Sequence, residues 1–138
     1  MDLYAENILE HHRNPRGKQM LTSPTVSHEE VNLSCGDSLM LHVVIESGHV
    51  KELGWEGSGC AISQAAMSLL SEELKGKSIA ELEAIDTDCI RSLLGVPVSA
   101  RRAKCAYLCL HVLKNLLRKM QGQASQGWGT TLESTGAL

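Results

Sequence analysis

The fold of this 138-residue chain is decided by two apolar runs joined by a tight turn: Leu39-Met40-Leu41-His42-Val43-Val44-Ile45, then Ser47-Gly48-His49, then Val50-Lys51-Glu52-Leu53-Gly54-Trp55-Glu56-Gly57. The first run is rich in β-branched residues, and the second alternates at period two, as strands do. A more polar run over residues 26–33 precedes them and fits an edge strand. Because the connections are too short for parallel crossovers, the pattern predicts a three-stranded antiparallel meander.

Helical periodicity flanks this sheet on both sides in the sequence. Apolar residues repeat at helical spacing over three longer segments, residues 2–13, 60–75 and 99–120. Two short helices are predicted between them, one opened by the capping box Ser78-Ile79-Ala80-Glu81 and one opened by Asp86 or Thr87. The segment 99–120 is expected to form one helix with a wide apolar face. The predicted fold class is therefore α+β, with a small three-stranded antiparallel sheet covered by helices.

The length suits one domain, which we assign to residues 1–120. Residues 121–138 are rich in Gly, Ser, Gln and Thr without periodicity, so a flexible C-terminal tail is predicted. No run approaches the roughly 20 apolar residues of a membrane span. The acidic N-terminus lacks the basic and apolar regions of a signal peptide. We therefore expect a monomeric, cytoplasmic protein without a membrane partner.

Charge and aromatic content narrow the class of partner. The net charge of −3 hides an asymmetry, because residues 89–132 contain seven cations and no acid. This basic segment is either a solvated helix face, a docking surface for an acidic partner, or a counter-charge for an anionic site. Aromatic residues make up only 3% of the chain, which disfavours a base-stacking platform, so no nucleic-acid partner is expected.

Three of the five cysteines stand at distinctive places in the predicted structure. Cys35 lies in the loop between the first two strands, two residues before Asp37. Cys60 opens a helix after a Gly-x-Gly turn, where the helix N-terminus stabilises a thiolate. Cys105 ends the basic run 101–105, whose cations are expected to lower its pKa. The odd number of cysteines disfavours a disulfide framework, but these long intervals do not establish a metal site by themselves.

Five motifs, taken in order, resemble the IscU/SufU family, which also occurs as the N-terminal domain of NifU and serves iron–sulfur cluster assembly. The matching segments are Ile8-Leu9-Glu10-His11-His12-Arg13-Asn14-Pro15-Arg16, Ser34-Cys35-Gly36-Asp37, Gly57-Ser58-Gly59-Cys60-Ala61-Ile62-Ser63, Lys75-Gly76-Lys77 and Arg101-Arg102-Ala103-Lys104-Cys105-Ala106. The resemblance spans about residues 3–117 and implies a SufE/NifU-like fold.

The resemblance implies that Cys35, Asp37, Cys60 and Cys105 share one site. In one branch of the family this site binds Zn²⁺, and in another it holds a nascent [2Fe–2S] cluster. Three thiolates and one carboxylate suit four-coordinate zinc, with Asp37 the weakest and most exchangeable ligand. The formal charge of such a site is +2 − 4 = −2, which gives Lys104 and the nearby arginines an electrostatic role.

The segment before the third matched cysteine resembles the SufU branch, which accepts persulfide sulfur from a PLP-dependent cysteine desulfurase. Lys104 stands where the scaffold branch has a His, and Val96-Pro97-Val98-Ser99 replaces its Leu-Pro-Pro-Val-Lys segment. The chain nevertheless lacks the insertion that SufU proteins usually carry between the second and third cysteines, so the branch stays open.

Three functions follow from the resemblance. In the first, a zinc-bound sulfurtransferase takes sulfur from the desulfurase at Cys35 and delivers it to a downstream iron–sulfur scaffold or apo-protein. In the second, the chain is the scaffold on which a [2Fe–2S] cluster is assembled. In the third, it is a structural zinc domain that binds a partner through its basic helix. In the first function either Asp37 or a thiolate must leave the metal, and the sequence leaves that choice open.

The remaining soft or titratable residues are expected to have structural roles. Cys89 and Cys109 are predicted to lie in the core, as buried free cysteines commonly do. Cys109 follows Cys105 by one turn on the same helix face, so an approach to the metal is the alternative for that residue. His42 and His111 lie within a strand and a helix and match no ligand position of the family. Met67 fits a core position of its helix.

Overall fold

A computed structural model describes residues 3–133 of the chain, with side chains from Glu6 onward. Its sheet has three strands in the order β1 (Val26–Asn32), β2 (Asp37–Glu46) and β3 (His49–Ser58), all paired antiparallel. At the centre of the sheet, Leu41 of β2 lies opposite His28 of β1 and Trp55 of β3. The predicted antiparallel meander is confirmed.

The helices follow the strands, except for one that precedes them. They are α1 (Leu3–Arg13), α2 (Ala61–Leu74), α3 (Ile79–Glu83), α4 (Thr87–Leu94), a 3₁₀ turn (Ala100–Arg102), α5 (Ala103–Ala106), α6 (Leu108–Met120) and α7 (Trp128–Glu133). The predicted α+β class is confirmed, with helices α2 and α6 packed against the sheet. None of the helices within residues 3–133 is long and apolar enough to cross a membrane.

The two faces of the sheet differ in polarity. Leu39, Leu41 and Val43 of β2 are buried in the core between the sheet and the helices. On the other face the His42 ring forms two hydrogen bonds, from Nδ1 with Ser27 Oγ (2.6 Å) and from Nε2 with Glu56 Oε2 (2.7 Å). One apolar face against helices and one polar face towards solvent is the usual arrangement of an antiparallel sheet.

Both short helices between the sheet and the last helices begin as the sequence predicts. The capping box of α3 is formed, with Glu81 N–H donating to Ser78 Oγ and Ser78 N–H to Glu81 Oε1. Asp86 caps α4 by accepting from Cys89 N–H, and Gly95 ends it in the left-handed region. Between these caps, α4 packs against α2.

The segment predicted as one helix over 99–120 is divided in the structure. A 3₁₀ turn and α5 are separated from α6 at Tyr107, whose dihedral angles are φ −98° and ψ 7°. The side chain of Tyr107 is buried, and its backbone N–H still bonds to Ala103 O. The change of direction leaves Cys105 partly exposed while the apolar face of α6 stays buried. Periodicity alone does not reveal such a break, because the apolar spacing continues through it.

The flexible tail predicted over 121–138 contains helix α7, so the prediction is wrong for that part. Trp128 stacks on His111 with ring centroids 4.2 Å apart, and Leu132 is buried. Gln126 N–H donates to Asn115 Oδ1 (2.7 Å), which fixes the start of the helix. These contacts are to distant parts of the chain, and a six-residue helix is too short to show a period. Residues 134–138 lie outside the described residues, and the domain division stays a prediction.

Candidate metal centre

The loop between β1 and β2 presents the first two site residues on one tight turn. The carbonyl of Asn32 accepts hydrogen bonds from the N–H groups of Cys35 (3.3 Å) and Gly36 (2.8 Å). Gly36 adopts φ +76°, a left-handed conformation that a side chain disfavours. The turn leaves Cys35 exposed and buries Asp37, whose accessible surface is 1% of its maximum. The two side chains meet, with Cys35 Sγ 2.9 Å from Asp37 Oδ2.

Cys60 approaches the same carboxylate from the end of the sheet. It is the N-cap residue of α2, and its N–H donates to Asp37 Oδ1 at 2.8 Å. Its sulfur lies 3.5 Å from Asp37 Oδ2. The preceding Gly59, with φ +141°, leaves room for this approach, because a Cβ there would lie 2.1 Å from Asp37 Oδ1. The Gly-x-Gly turn therefore lets the Asp37 carboxylate pack directly on the backbone.

Cys105 completes the group from α5. Its sulfur lies 3.7 Å from Cys35 Sγ, and the ligand atoms of Cys35, Asp37 and Cys105 all lie within 4.8 Å of one another. Cys60 touches the group through Asp37 and lies outside that 4.8 Å set. The structure thus brings the four predicted site residues together around the Asp37 carboxylate.

Two of these spacings match the edges of a tetrahedral metal site, whereas the Cys60 sulfur, outside the 4.8 Å group, would have to move closer to share the ion. A zinc–sulfur bond of about 2.3 Å gives an edge of about 3.8 Å between two thiolates bound to the same ion. The Cys35–Cys105 separation of 3.7 Å matches that edge. The 3.5 Å between Cys60 Sγ and Asp37 Oδ2 fits the shorter edge between a sulfur and an oxygen ligand. Thiolates with one carboxylate are a donor set suited to zinc or iron, so the residues present fit such an ion.

Proton binding at the site is set by burial and by the crowding of the thiols. Burial alone would raise the pKa of Asp37, but hydrogen bonds from the Cys35 thiol and the Cys60 N–H outweigh it and lower the pKa. Burial, the hydrogen bond to Cys35 and the charges of Cys60 and Cys35 raise the pKa of Cys105 to about 12. The prediction that nearby cations lower this pKa is therefore wrong. The side chains of Arg101, Arg102 and Lys104 are exposed, so water screens their charge.

The protonation pattern has a consequence for metal binding. With its pKa this high, Cys105 is protonated at neutral pH while no cation is bound. A divalent ion that binds its sulfur must displace this proton, so the affinity of the ion depends on pH.

Two features of the site escaped the sequence analysis. Asn32, which is 4% exposed, donates from Nδ2 to Cys35 Sγ at 3.1 Å. Leu132 of α7 lines a cleft of about 240 Å³ together with Cys35, Lys104 and Cys105. Asn32 reads as an ordinary residue at a strand end, and only its position three residues before a candidate ligand cysteine could have drawn attention to it. Leu132 fell in the stretch predicted as a tail.

The other cysteines lie away from this group. Cys109 is fully buried, its thiol donates to Ala106 O (3.6 Å), and burial raises its pKa to about 12, so its predicted core position is confirmed. Cys89 is exposed, contrary to the prediction that it lies in the core. The reason is its register on α4, where Thr87, Ile90 and Leu94 form the buried face and Cys89 falls on the opposite side.

His11, His42 and His111 form hydrogen bonds with side chains outside the cysteine site. His11 Nδ1 lies 2.7 Å from Ser68 Oγ, and His111 Nδ1 lies 2.7 Å from Thr131 Oγ1. His42 bridges two side chains on the open face of the sheet. Met67 is fully buried, as predicted. Structural roles for His42 and His111 are therefore confirmed.

Comparison with known proteins agrees with this architecture. Residues 3–126 match the family described as the NifU-like N-terminal domain. The chain is 30% identical to the iron–sulfur cluster assembly scaffold protein IscU of Thermotoga maritima, over 86% of this chain and 94% of that protein. It is 31% identical to the zinc-dependent sulfurtransferase SufU of Bacillus subtilis, over 87% of this chain and 92% of that protein.

Solved structures give the same result at the level of the fold. A SUF-system protein from Fervidobacterium islandicum superposes with a TM-score of 0.71 at 25% identity, covering 81% of this chain and 94% of that one. The N-terminal part of a NifU-like protein from Brucella abortus also reaches 0.71, at 21% identity, and covers 88% of this chain and 96% of that one. With a family match over nearly the whole described chain, this protein belongs to the NifU-like N-terminal domain family, which includes IscU and SufU.

Proposed function

We propose that this protein takes part in iron–sulfur cluster assembly by accepting sulfur from a PLP-dependent cysteine desulfurase at a zinc site formed by Cys35, Asp37, Cys60 and Cys105. The observation that carries the proposal is the convergence of three thiols on one buried carboxylate, with a sulfur–sulfur separation of 3.7 Å. The similarity to a protein named as a zinc-dependent sulfurtransferase supports the choice of reaction.

The proposed ligands are buried to different extents, and this difference suits them to different roles in the reaction. Asp37 is 1% exposed and is held by the Cys60 N–H. Cys35 is exposed and opens onto the cleft of about 240 Å³. A persulfide carried on a partner's loop can therefore reach Cys35 without unfolding the site, and this makes Cys35 the proposed sulfur acceptor.

The transfer itself is a thiol–disulfide type of exchange. The Cys35 thiolate attacks the outer sulfur of the desulfurase persulfide, and a new sulfur–sulfur bond forms at Cys35. The sulfur–sulfur bond of the donor breaks, and the desulfurase cysteine leaves as a thiolate that takes up a proton from solvent. The outer sulfur moves as a whole, so no external oxidant or reductant is consumed.

The groups around the cleft assist this exchange. When zinc is bound, its positive charge keeps the sulfur ligands ionised at neutral pH. Arg101 and Lys104 line the same cleft as Cys35 and present positive charge to an incoming persulfide anion. The product persulfide on Cys35 would pass to a downstream iron–sulfur scaffold or apo-protein. A monomer acting in the cytoplasm is the form in which we propose that this occurs.

Persulfide mapping under anaerobic conditions tests the proposal. The zinc-loaded chain is incubated with a PLP-dependent cysteine desulfurase and L-cysteine, and each cysteine peptide is examined by mass spectrometry for one added sulfur. We expect the added sulfur on Cys35, no stimulation of the desulfurase by Cys35→Ala, and normal stimulation by Cys89→Ala. Cys89 is the matched control because it is also exposed but lies outside the site. If Cys35→Ala stimulated the desulfurase as strongly as the unsubstituted chain does, sulfur acceptance at this residue would be refuted.

A scaffold function is the second candidate, because Cys35 and Cys105, which open to the cleft, could hold a [2Fe–2S] cluster as cargo together with Cys60, and a similar protein is named as a scaffold. Anaerobic reconstitution with iron and sulfide would then give about two irons per chain, with a visible chromophore that transfers to an apo-protein. A chain that keeps zinc tightly and takes up no iron speaks against this candidate. If no cysteine ever carries a persulfide and metal removal unfolds the chain, a structural zinc domain is what remains.

A further inference from the structure

Asn32 organises the turn that carries Cys35. It is the last residue of β1 and is 4% exposed. Its backbone carbonyl accepts from the N–H groups of Cys35 and Gly36, and its side-chain Oδ1 accepts from Ser34 N–H at 3.2 Å. With these three bonds satisfied, the remaining group of the side chain, Nδ2, is fixed in direction.

Nδ2 of Asn32 points at a sulfur. It donates to Cys35 Sγ at 3.1 Å, well within the range of an N–H···S contact. Within residues 3–133, neither Cys60 nor Cys105 receives an N–H bond at its sulfur: the contacts of Cys60 Sγ are to Asp37, and those of Cys105 are to the other site residues. The three thiols that share the site are therefore not equivalent.

A hydrogen bond to a thiolate draws electron density from the sulfur. The sulfur then donates less charge to a metal ion, and its bond to the ion weakens relative to sulfurs without such a donor. The burial of Asn32 strengthens the effect, because few water molecules compete for the bond. A ligand weakened in this way is also the exposed one, so it is the sulfur that exchanges most readily with an incoming group.

We propose that Asn32 is a positioning residue that makes Cys35 the exchangeable sulfur of the metal centre, by donating an N–H···S hydrogen bond that the Cys60 and Cys105 sulfurs lack. This inference rests on the proposed metal site, and it adds the means by which the chain distinguishes one of three chemically identical ligands.

The alternative role of Asn32 is to hold the turn alone, through Oδ1 and its backbone carbonyl. Two substitutions separate these roles. Asn32→Asp keeps an oxygen for Ser34 N–H and removes the donor to Cys35 Sγ. Asn32→Leu removes both bonds and introduces no charge or new metal ligand. Ser71→Ala is the control, because Ser71 is equally buried and its hydroxyl donates to Arg16 O and Ser68 O, away from the cysteines.

Cobalt substitution and cysteine labelling give the readouts. In the Co²⁺-loaded protein, the sulfur-to-cobalt charge-transfer absorption in the near ultraviolet reports the electron density on the thiolates. Labelling with iodoacetamide followed by peptide mass spectrometry reports how often each sulfur leaves the metal. We expect the absorption to move to longer wavelength in both Asn32 variants, and Cys35 labelling to slow about tenfold relative to Cys60 and Cys105. Ser71→Ala should match the unsubstituted chain.

If neither Asn32 variant differs from the unsubstituted chain, the inference is overturned, and a change in only one of them overturns it as well. A change in Asn32→Leu alone assigns Asn32 to the turn, and a change in Asn32→Asp alone assigns the effect to the added carboxylate. Faster Cys35 labelling with weaker cobalt binding in both variants means that the residue only holds the loop in place. If the unsubstituted chain binds no cobalt, the metal site itself is wrong and the inference falls with it. Failure of sulfur transfer with a normal cobalt result leaves the inference standing and refutes only the proposed reaction.

Discussion

The substitution Gly59→Ala tests the construction of the site most directly. A Cβ at residue 59 would lie 2.1 Å from Asp37 Oδ1, 2.7 Å from its Cγ and 2.9 Å from its Cα. No rotation of the Asp37 side chain relieves all three contacts, because the last atom belongs to the backbone. The strand start and the turn before α2 must therefore separate, and the bond from Cys60 N–H to Asp37 Oδ1 is lost.

The expected loss of stability has two parts. Holding an alanine at φ +141° costs about 1–3 kcal/mol, since that region is accessible almost only to glycine. Losing the charge-assisted bond to Asp37 costs about 1.5–3 kcal/mol more. We expect the free energy of unfolding of the metal-free chain to fall by about 2.5–6 kcal/mol in total. With Asp37 displaced, zinc affinity should fall by about 10- to 100-fold.

Urea unfolding followed by circular dichroism measures the first quantity, and competition with a chromophoric chelator measures the second. Gly48→Ala is the control, because Gly48 has φ +76° but a Cβ there would meet nothing within 4 Å. It should cost about 1 kcal/mol and leave zinc affinity unchanged. Equal effects of the two substitutions on stability, or unchanged zinc affinity in Gly59→Ala, would refute the packing of Asp37 on residue 59.

Three further predictions concern the rest of the fold. Burial lowers the pKa of both His11 and His111 in the folded chain, so as pH falls the unfolded chain binds protons first, near pKa 6.5. The free energy of unfolding should therefore fall as pH drops from about 7.5 to 5.5, and urea titrations that show no change over this range would contradict the prediction. Trp128→Ala removes the stack on His111 and should lower the free energy of unfolding by about 1–2 kcal/mol, whereas an unchanged urea midpoint would show that α7 adds no stability. Cys109→Ser places a hydroxyl in the apolar core and should cost about 1–3 kcal/mol, while exposed Cys89→Ser should stay within about 0.5 kcal/mol; equal costs would contradict the burial assigned to the two residues.

The parts of the fold that the sequence predicts are those specified by short-range chemistry. The three strands, the capping box at Ser78 and the cap at Asp86 are each written in a few neighbouring residues, and all were found. The parts that differ depend on contacts between distant residues. Helix α7 is stabilised by Trp128 on His111 and by Gln126 on Asn115, and no local pattern records these contacts. The break at Tyr107 is hidden for a similar reason, since the apolar spacing does not change across it.

The candidate site, like the fold, could be predicted from the sequence only in part. The intervals of 25 residues from Cys35 to Cys60 and 45 from there to Cys105 carry no geometric information. The ordered motifs of a family were needed to group them with Asp37. Those motifs group the four residues, but they do not record how deeply each one is buried, which hydrogen bonds it makes or whether it is protonated. The high pKa of Cys105 arises from burial and from its fellow thiols, which are remote in the sequence.

The burial of each side chain bears on whether Asp37 or a thiolate would leave the metal in the proposed site. As the hard donor among soft ones, Asp37 is the weaker ligand by chemistry alone. Its surroundings favour the opposite choice, because the carboxylate is buried, bonded to Cys60 N–H and packed against Gly59. To leave the metal, the carboxylate would have to break that bond at a position that solvent hardly reaches. Cys35 is exposed, and its sulfur receives the Asn32 amide. The protein environment therefore reverses the order that ligand type suggests, and Cys35 is the ligand expected to exchange while Asp37 remains in place.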